Sequence, residues 1–272
     1  MEKTSVLVQD TRGNSFGKVS QLCLTAADRD GKTILQDVRF TAPYKIMHPF
    51  PRTDGSIQII LLSASAGIMA GDRQQFDLNI LSGASAEFVS QSYEKIHQMD
   101  ESHAERSVHV HVASGASFCF HPQPTIPFAG SAFSIRTHID LEDETSRFRM
   151  CEIFSCGRVA RQEFFAFRFY HSLTHIYRRG RLIYRDNTRY DPSVFDLGGL
   201  GMFESYTHLA SLFLSRPENP VETLAKIRRF LENQTDVEGA ATMLSGGDLV
   251  IRILGRRAQR LENLSSRILE ME

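Results

Sequence analysis

The histidines of Val108-His109-Val110-His111-Val112 are the pair in this 272-residue chain best spaced to hold a metal ion. On a β-strand, residues two apart share a face, so both imidazoles would project together and could bind one borderline divalent cation. A cupin-like metal enzyme using His109 and His111 would want a carboxylate a few residues on. The next six residues are Val, Ala, Ser, Gly, Ala and Ser, so the plainer reading is two histidines on the wet face of a half-buried strand. Gly71-Asp72 places a carboxylate at a turn, where it serves either as a turn-forming aspartate or as an oxygen donor to a ligand.

Other reactive patterns are incomplete. Gly13-Asn-Ser-Phe-Gly17-Lys18-Val19 approaches a phosphate-binding loop, but that loop needs four residues between its glycines and a Ser or Thr after the lysine. A glycine-rich turn before a strand accounts for it. Gly199-Leu200-Gly201 lacks the third glycine of a dinucleotide fingerprint, and no G-x-S-x-G nucleophile elbow occurs. Arg158 to Arg189 holds eight arginines and two acids with interleaved aromatics, a composition that could serve a nucleic-acid surface. Solvated strand faces and ion pairs explain it as well, and a net charge of −1 gives the whole chain no general attraction to phosphate, so no nucleic-acid partner is expected.

The elements that would position these residues are mostly strands. From Val19 to about Tyr184 apolar and polar residues alternate at period two, as in Phe76-Asp77-Leu78-Asn79-Ile80. A short internal repeat, LNILSGASAEF at 78–88 and VHVASGASFCF at 110–120, reads twice as strand, turn, strand, with a weaker third unit at 139–150. This predicts a mainly β fold of stacked β-hairpins, solenoid-like, or an irregular sandwich. His121 to Gly130 carries Pro122, Pro124 and Pro127 and so belongs at an edge or in a loop. Near the C-terminus, Asn219-Pro220 followed by Val221, Leu224, Ile227 and Leu231 predicts a helix ending near Asn233. Leu261, Leu264, Ile268 and Met271 predict a second helix over 256–270, with a β-hairpin in Val237–Leu254 between the two. No linker or charge run divides the chain, so residues 1–272 are expected to be one domain.

Composition narrows the class. With 31 Lys plus Arg against 32 Asp plus Glu and 42% hydrophobic residues, the chain is an ordinary globular one with no disordered bias. The uncharged stretch 55–71 is too short and too polar to span a membrane. No apolar segment precedes Asp10 and Arg12, so a cytoplasmic location without membrane contact is expected. Four cysteines in no C-x-x-C spacing suit reduced core thiols. Nineteen Phe and no Trp leave an almost purely apolar aromatic complement, suited to a core or a large protein interface.

Four segments, SAGIMAGDRQQFDLNI at 65–80, SGASAEFVSQSYEKIH at 82–97, PQPTIPFAGSAF at 122–133 and CGRVARQEFF at 156–165, resemble the UreD/UreH family of urease accessory proteins, in the family's order. The resemblance continues through TAPYKIMHPF at 41–50, YRDNTRYDP at 184–192 and GMFESYTH at 201–208. Where the family often has Pro-Gly-Gly before Gly71-Asp72, this chain has Ser65-Ala66-Gly67. The resemblance implies a many-stranded β fold with two C-terminal helices. It implies a non-enzymatic role in which the protein binds UreF directly, as a two-protein heterocomplex, reaches the GTPase UreG through it, and contacts apo-urease. It further implies no cofactor of its own, nickel in transit, and an internal nickel path whose polar positions match Asp72, Gln91, Ser92, Lys95, Arg158 and Glu163. A buried hydrogen-bond network that only holds strands together is the alternative role for each of the six.

Overall fold

A computed structural model describes residues 19–271; the glycine-rich stretch 13–18 lies outside the described residues. Strands are numbered in chain order. One sheet has seven, in the order β15 (Arg181–Tyr190), β14 (Phe169–Arg178), β12 (Ala132–Leu141), β9 (Ala104–Val112), β6 (Arg73–Ile80), β1 (Val19–Arg29) and β2 (Lys32–Phe40). The main path of the second runs β17 (Glu238–Met243), β18 (Leu249–Gly255), β16 (His208–Leu214), β13 (Arg147–Ser155), β10 (Ser117–His121), β7 (Ser85–Ser90), β5 (Ile57–Ser63) and β3 (Tyr44–Ile46). Three short strands, β4 (Phe50–Pro51), β8 (Glu94–Ile96) and β11 (Thr125–Pro127), join its margin.

The repeat is real, but its units are arches and not hairpins. β6 lies in the first sheet and β7 in the second, and β9–β10 and β12–β13 divide the same way. Within each sheet the equivalent strands are parallel neighbours: Arg73 pairs with Glu105, and Ser85 with Ser117, both 32 residues on. The chain therefore coils, and the solenoid-like form is the one adopted. A hairpin would need strands joined by a turn to pair with each other, and here the turn instead crosses the roughly 10 Å between two stacked sheets.

The Ser-Gly-Ala-Ser sequence suits this crossing. Gly83 and Gly115 stand at φ +78° and +69°, where a side chain is strained, and Ala84 and Ala116 are fully buried beneath the turn. The turns are stitched to one another: Ser82 Oγ donates to Ser114 O at 2.6 Å, and Ser114 Oγ donates to Asp143 Oδ2 at 2.9 Å. In the third turn an Asx turn replaces the glycine, Asp143 Oδ1 accepting from Thr145 N–H at 2.7 Å. The Thr145 and Ser114 hydrogen bonds hold the Asp143 carboxyl down at about 2.

Between the sheets, parallel stacking puts like residues over like. Phe88 and Phe120 stack at 5.5 Å and Phe118 meets Phe148 at 6.2 Å; across the antiparallel β13–β16 pair Phe213 extends the row, 6.3 Å from Phe148. Helices α1 (Pro220–Glu232) and α2 (Ala258–Leu269) cover the outer face of the second sheet. There Leu224, Ile227, Leu231, Leu261, Leu264 and Ile268 pack on Cys151, Ile153, Leu212, Ile251 and Ile253. Burial on both faces explains why the helix-covered β16 and β18 read as nearly continuous apolar runs, whereas the first sheet, wet outside, alternates. The two helices fall within two residues of their expected bounds, and β17 pairs antiparallel with β18 as the intervening hairpin.

Because β6, β9, β12 and β14 run parallel, the segments leading into them, 64–72, 91–103, 122–131 and 156–168, all lie at one end of the coil, opposite the arches. They touch one another. Ile68 bridges to Ile96, β8 pairs with β11, and Thr125 pairs with Phe154. Beyond His121, which ends β10, the proline-bearing segment up to Gly130 contributes only the three-residue β11, as its missing donors require.

Candidate functional site

Strand parity assigns certain charged residues to the space between the sheets. Along β13, Phe148, Met150, Glu152 and Phe154 point inward; along β9, Ala104, Arg106, Val108 and Val110 do. A charge at an inward position must be satisfied internally or neutralised. Arg106, only 8% exposed, donates Nε–H to Gln74 Oε1 at 2.8 Å and Nη1–H to Glu94 Oε2 at 2.7 Å, with a second contact from Nη2 to Glu94 Oε1. Its guanidinium lies over the Phe76 ring at 4.8 Å. Burial works against this charge, and Glu94 more than offsets it, so Arg106 stays firmly protonated.

Glu152 differs because it makes no ion pair among the described residues. It lines an internal cavity of about 60 Å³, room for a few water molecules, together with Glu94, Arg106, Ser172, Asp186 and Ser211. Burial, reinforced by the negative charges of Asp186 and Glu94 and opposed by Arg106, pushes its carboxyl up to about 7. It can therefore bind or release a proton near neutral pH. Asp186 is anchored from the other side, accepting from Arg252 Nη2 at 2.6 Å and Thr188 Oγ1 at 2.9 Å.

The cavity shares lining residues with two neighbouring spaces. Glu94 also lines a second cavity of about 70 Å³, bounded by Gly67, Gln74, Ser92 and Lys95 at the return-loop end. Thr188, Tyr190 and Leu209 are shared with a surface cleft of about 520 Å³ that includes Glu238 and Arg252. Carboxylates and hydroxyls thus line the interior from the Ser92–Lys95 return loop, past Glu94 and Glu152, to Asp186 and the cleft beside β15 and β17. Such a lining can pass protons, water or a hard or borderline cation held by oxygen ligands. Among the described residues no group of three or more His, Cys, Asp or Glu side chains is arranged to hold a metal ion.

All six residues expected from the sequence lie at the return-loop end, in different roles. Ser92 and Lys95 border the mouth beside Glu94. Gln91 is exposed, its N–H donating to Leu61 O at 2.9 Å. Asp72 Oδ2 accepts from Met69 N–H at 2.8 Å, closing the turn into β6. Both oxygens of Glu163 are occupied: Oε2 accepts from Arg158 Nε at 2.9 Å and Oε1 from Ala129 N–H at 2.6 Å. Burial raises the Glu163 carboxyl, and these bonds outweigh it to hold it below the usual range. Arg158 also covers the Phe128 ring at 4.3 Å. His109 and His111 are exposed on the outer face of the first sheet, away from the cavity.

Gln74, Glu94, Arg106, Glu152, Asp186 and Arg252 escaped the sequence reading. A usable signal was present for two of them: Arg106 and Glu152 occupy the apolar parity of their strands, the one position where a charge is costly.

The profile of the family described as UreD urease accessory protein matches residues 18–271. Among curated proteins the chain is 40% identical over 252 residues to the urease accessory protein UreD of Acetivibrio thermocellus, covering 92% of this chain and 96% of that protein. It is 36% identical over 256 residues to the urease accessory protein UreH of Helicobacter pylori strain G27, covering 94% and 95%. A UreD of Flavobacterium johnsoniae is 26% identical over 253 residues, covering 92% and 91%.

Proposed function

Because the chain belongs to the UreD/UreH family of urease accessory proteins, which are chaperones and not enzymes, we propose that it serves urease maturation by guiding nickel into the apoenzyme through the polar interior between its two sheets. The observation that carries this reading is Glu152, a carboxylate with no ion pair among the described residues, at an inward strand position in a cavity that shares lining residues with a space at the Ser92–Lys95 return loop and with a cleft beside β15 and β17. Nickel enters at the return loops near Asp72, Ser92 and Lys95, passes Glu94, meets Glu152, and leaves by Asp186. Carboxylate and water ligands hold nickel more weakly than clustered imidazoles, so the ion can move on to a better site in urease. Arg158 and Glu163, which engage each other, shape the mouth and do not ligate. The protein works in the cytoplasm, where it binds UreF directly, reaches the GTPase UreG through that complex, and contacts urease.

Two expected outcomes follow from the placement of these residues. Purified protein and UreF co-elute in size-exclusion chromatography at concentrations well above micromolar; separate elution there would remove UreF as the direct partner. In co-expression with a urease operon, Asp72→Ala with Glu163→Ala lowers urease activity and nickel content while UreF still co-purifies. His109→Ala with His111→Ala leaves both unchanged. Loss of activation by the histidine pair alone, with the complex preserved, would move the path to the outer face.

A further inference from the structure

The outer face of the first sheet carries histidines that sequence distance conceals. Parallel register sets His109 of β9 opposite His138 of β12, and His138 opposite His175 of β14, in one row across three strands. The His109 and His138 ring centroids are 5.7 Å apart. In the ladder, neighbouring strands stand about 4.8 Å apart, whereas side chains two residues apart on one strand are roughly 6.6 Å apart. The cross-strand pair is thus closer than His109 and His111, the pair the sequence suggests.

We infer that His109 and His138 form a two-histidine site for a borderline divalent transition cation such as nickel, copper or zinc, with water completing its coordination. With metal–nitrogen bonds near 2.0–2.1 Å, two imidazoles on one ion hold their centroids roughly 4.5–5.5 Å apart, a small rotation of the exposed His109 side chain from the distance seen. His138 is already oriented for the task. Its Nε2 lies 2.9 Å from Asp140 Oδ2, and a carboxylate only accepts, so Nε2 carries the proton and Nδ1 keeps a free lone pair. A carboxylate behind a histidine is the usual support of a metal ligand, and Tyr177 stacked on the ring at 4.8 Å fixes its plane. Two protein ligands make an exchangeable site and not a trap. This site lies on the opposite side of the sheet from the interior cavity, and it does not rest on the accessory-protein reading.

Isothermal titration of the full chain with nickel chloride, repeated with zinc sulfate, tests the pair. The expected result is saturable binding that weakens roughly tenfold or more in His109→Ala and in His138→Ala, and less in Asp140→Asn. His111→Ala keeps the native affinity, and far-ultraviolet circular dichroism is unchanged throughout. The proposal is overturned if the double variant His109→Ala/His138→Ala binds nickel as the native chain does. It is also overturned if His111→Ala weakens binding while His138→Ala does not, or if the native chain binds neither ion below millimolar concentration. The readout is binding by the isolated protein, so failure here leaves urease activation, the measure of the interior path, to be judged separately.

Discussion

Glu152→Gln is expected to reduce nickel-dependent activation of urease roughly 10- to 100-fold, the scale on which metal handling responds to loss of a supporting group. The amide keeps the size of the side chain and loses its charge, so the strand pairing of β13 with β16 and the proposed complex with UreF should persist. The same substitution has a thermodynamic signature that does not depend on urease. Burial raises the folded-state carboxyl to about 7, above its unfolded value. Between those two values the folded state holds a proton that the unfolded state has released. Native stability therefore falls as pH rises from about 4.3 towards 7 and then levels off, by an amount on the order of 3 kcal/mol. Glu152→Gln removes this loss, so the variant should gain on the native protein across that window and remain ahead at pH 8. Denaturant melts at pH 5, 6, 7 and 8 measure it. A constant gap between the two proteins would show that Glu152 is not a desolvated carboxyl, and unchanged activation would exclude it from the proposed nickel path.

Asp248→Ala should cost about 3–5 kcal/mol of stability, because it strands a charge inside the protein. Asp248 is fully buried in the β17–β18 turn and accepts from Arg178 Nη2 at 2.6 Å and Nη1 at 3.1 Å, and from the Arg216 N–H at 3.2 Å. Arg178 is itself only 6% exposed and stands at the end of β14, so the pair ties the first sheet to the hairpin of the second. Without the aspartate its guanidinium would lose both of these bonds, and its Nε already has no partner among the described residues. Replacing both partners, Arg178→Met with Asp248→Leu, should recover most of the loss, since desolvated pairs are often no better than packed hydrocarbon. Urea denaturation of the native, single and double variants checks this. A single variant within about 1 kcal/mol of native would mean that water reaches Arg178.

The residues that announced the fold did so through local chemistry. Period-two alternation gave the strands, Asn219-Pro220 and the stripe Leu224, Ile227, Leu231 gave α1 its start and face, and the Ser-Gly-Ala-Ser turns gave a repeat. Each is a property of a few neighbouring residues. Whether a turn joins strands of one sheet or crosses between two depends on partners 32 residues away, and on that point the hairpin expectation gave way to arches. The candidate site divides in the same manner. Asp72, Ser92, Lys95, Arg158 and Glu163 were legible as polar residues in ordered motifs, and they gather at one end because parallel strands must all be entered from the same side.

What the sequence by itself determined is therefore the class of the fold, its helices and the family to which the chain belongs, since these reside in composition, periodicity and ordered motifs. Only the tertiary structure decided which charges face inward and which histidines are neighbours. Glu94 meets Arg106 across 12 residues, Asp186 meets Arg252 across 66, and His109 faces His138 from the adjoining strand. The physical reason is that a carboxylate's role is set by burial and by the charges around it. In a coil of parallel strands those neighbours come from the turns before and after, a register that no single segment of the sequence contains.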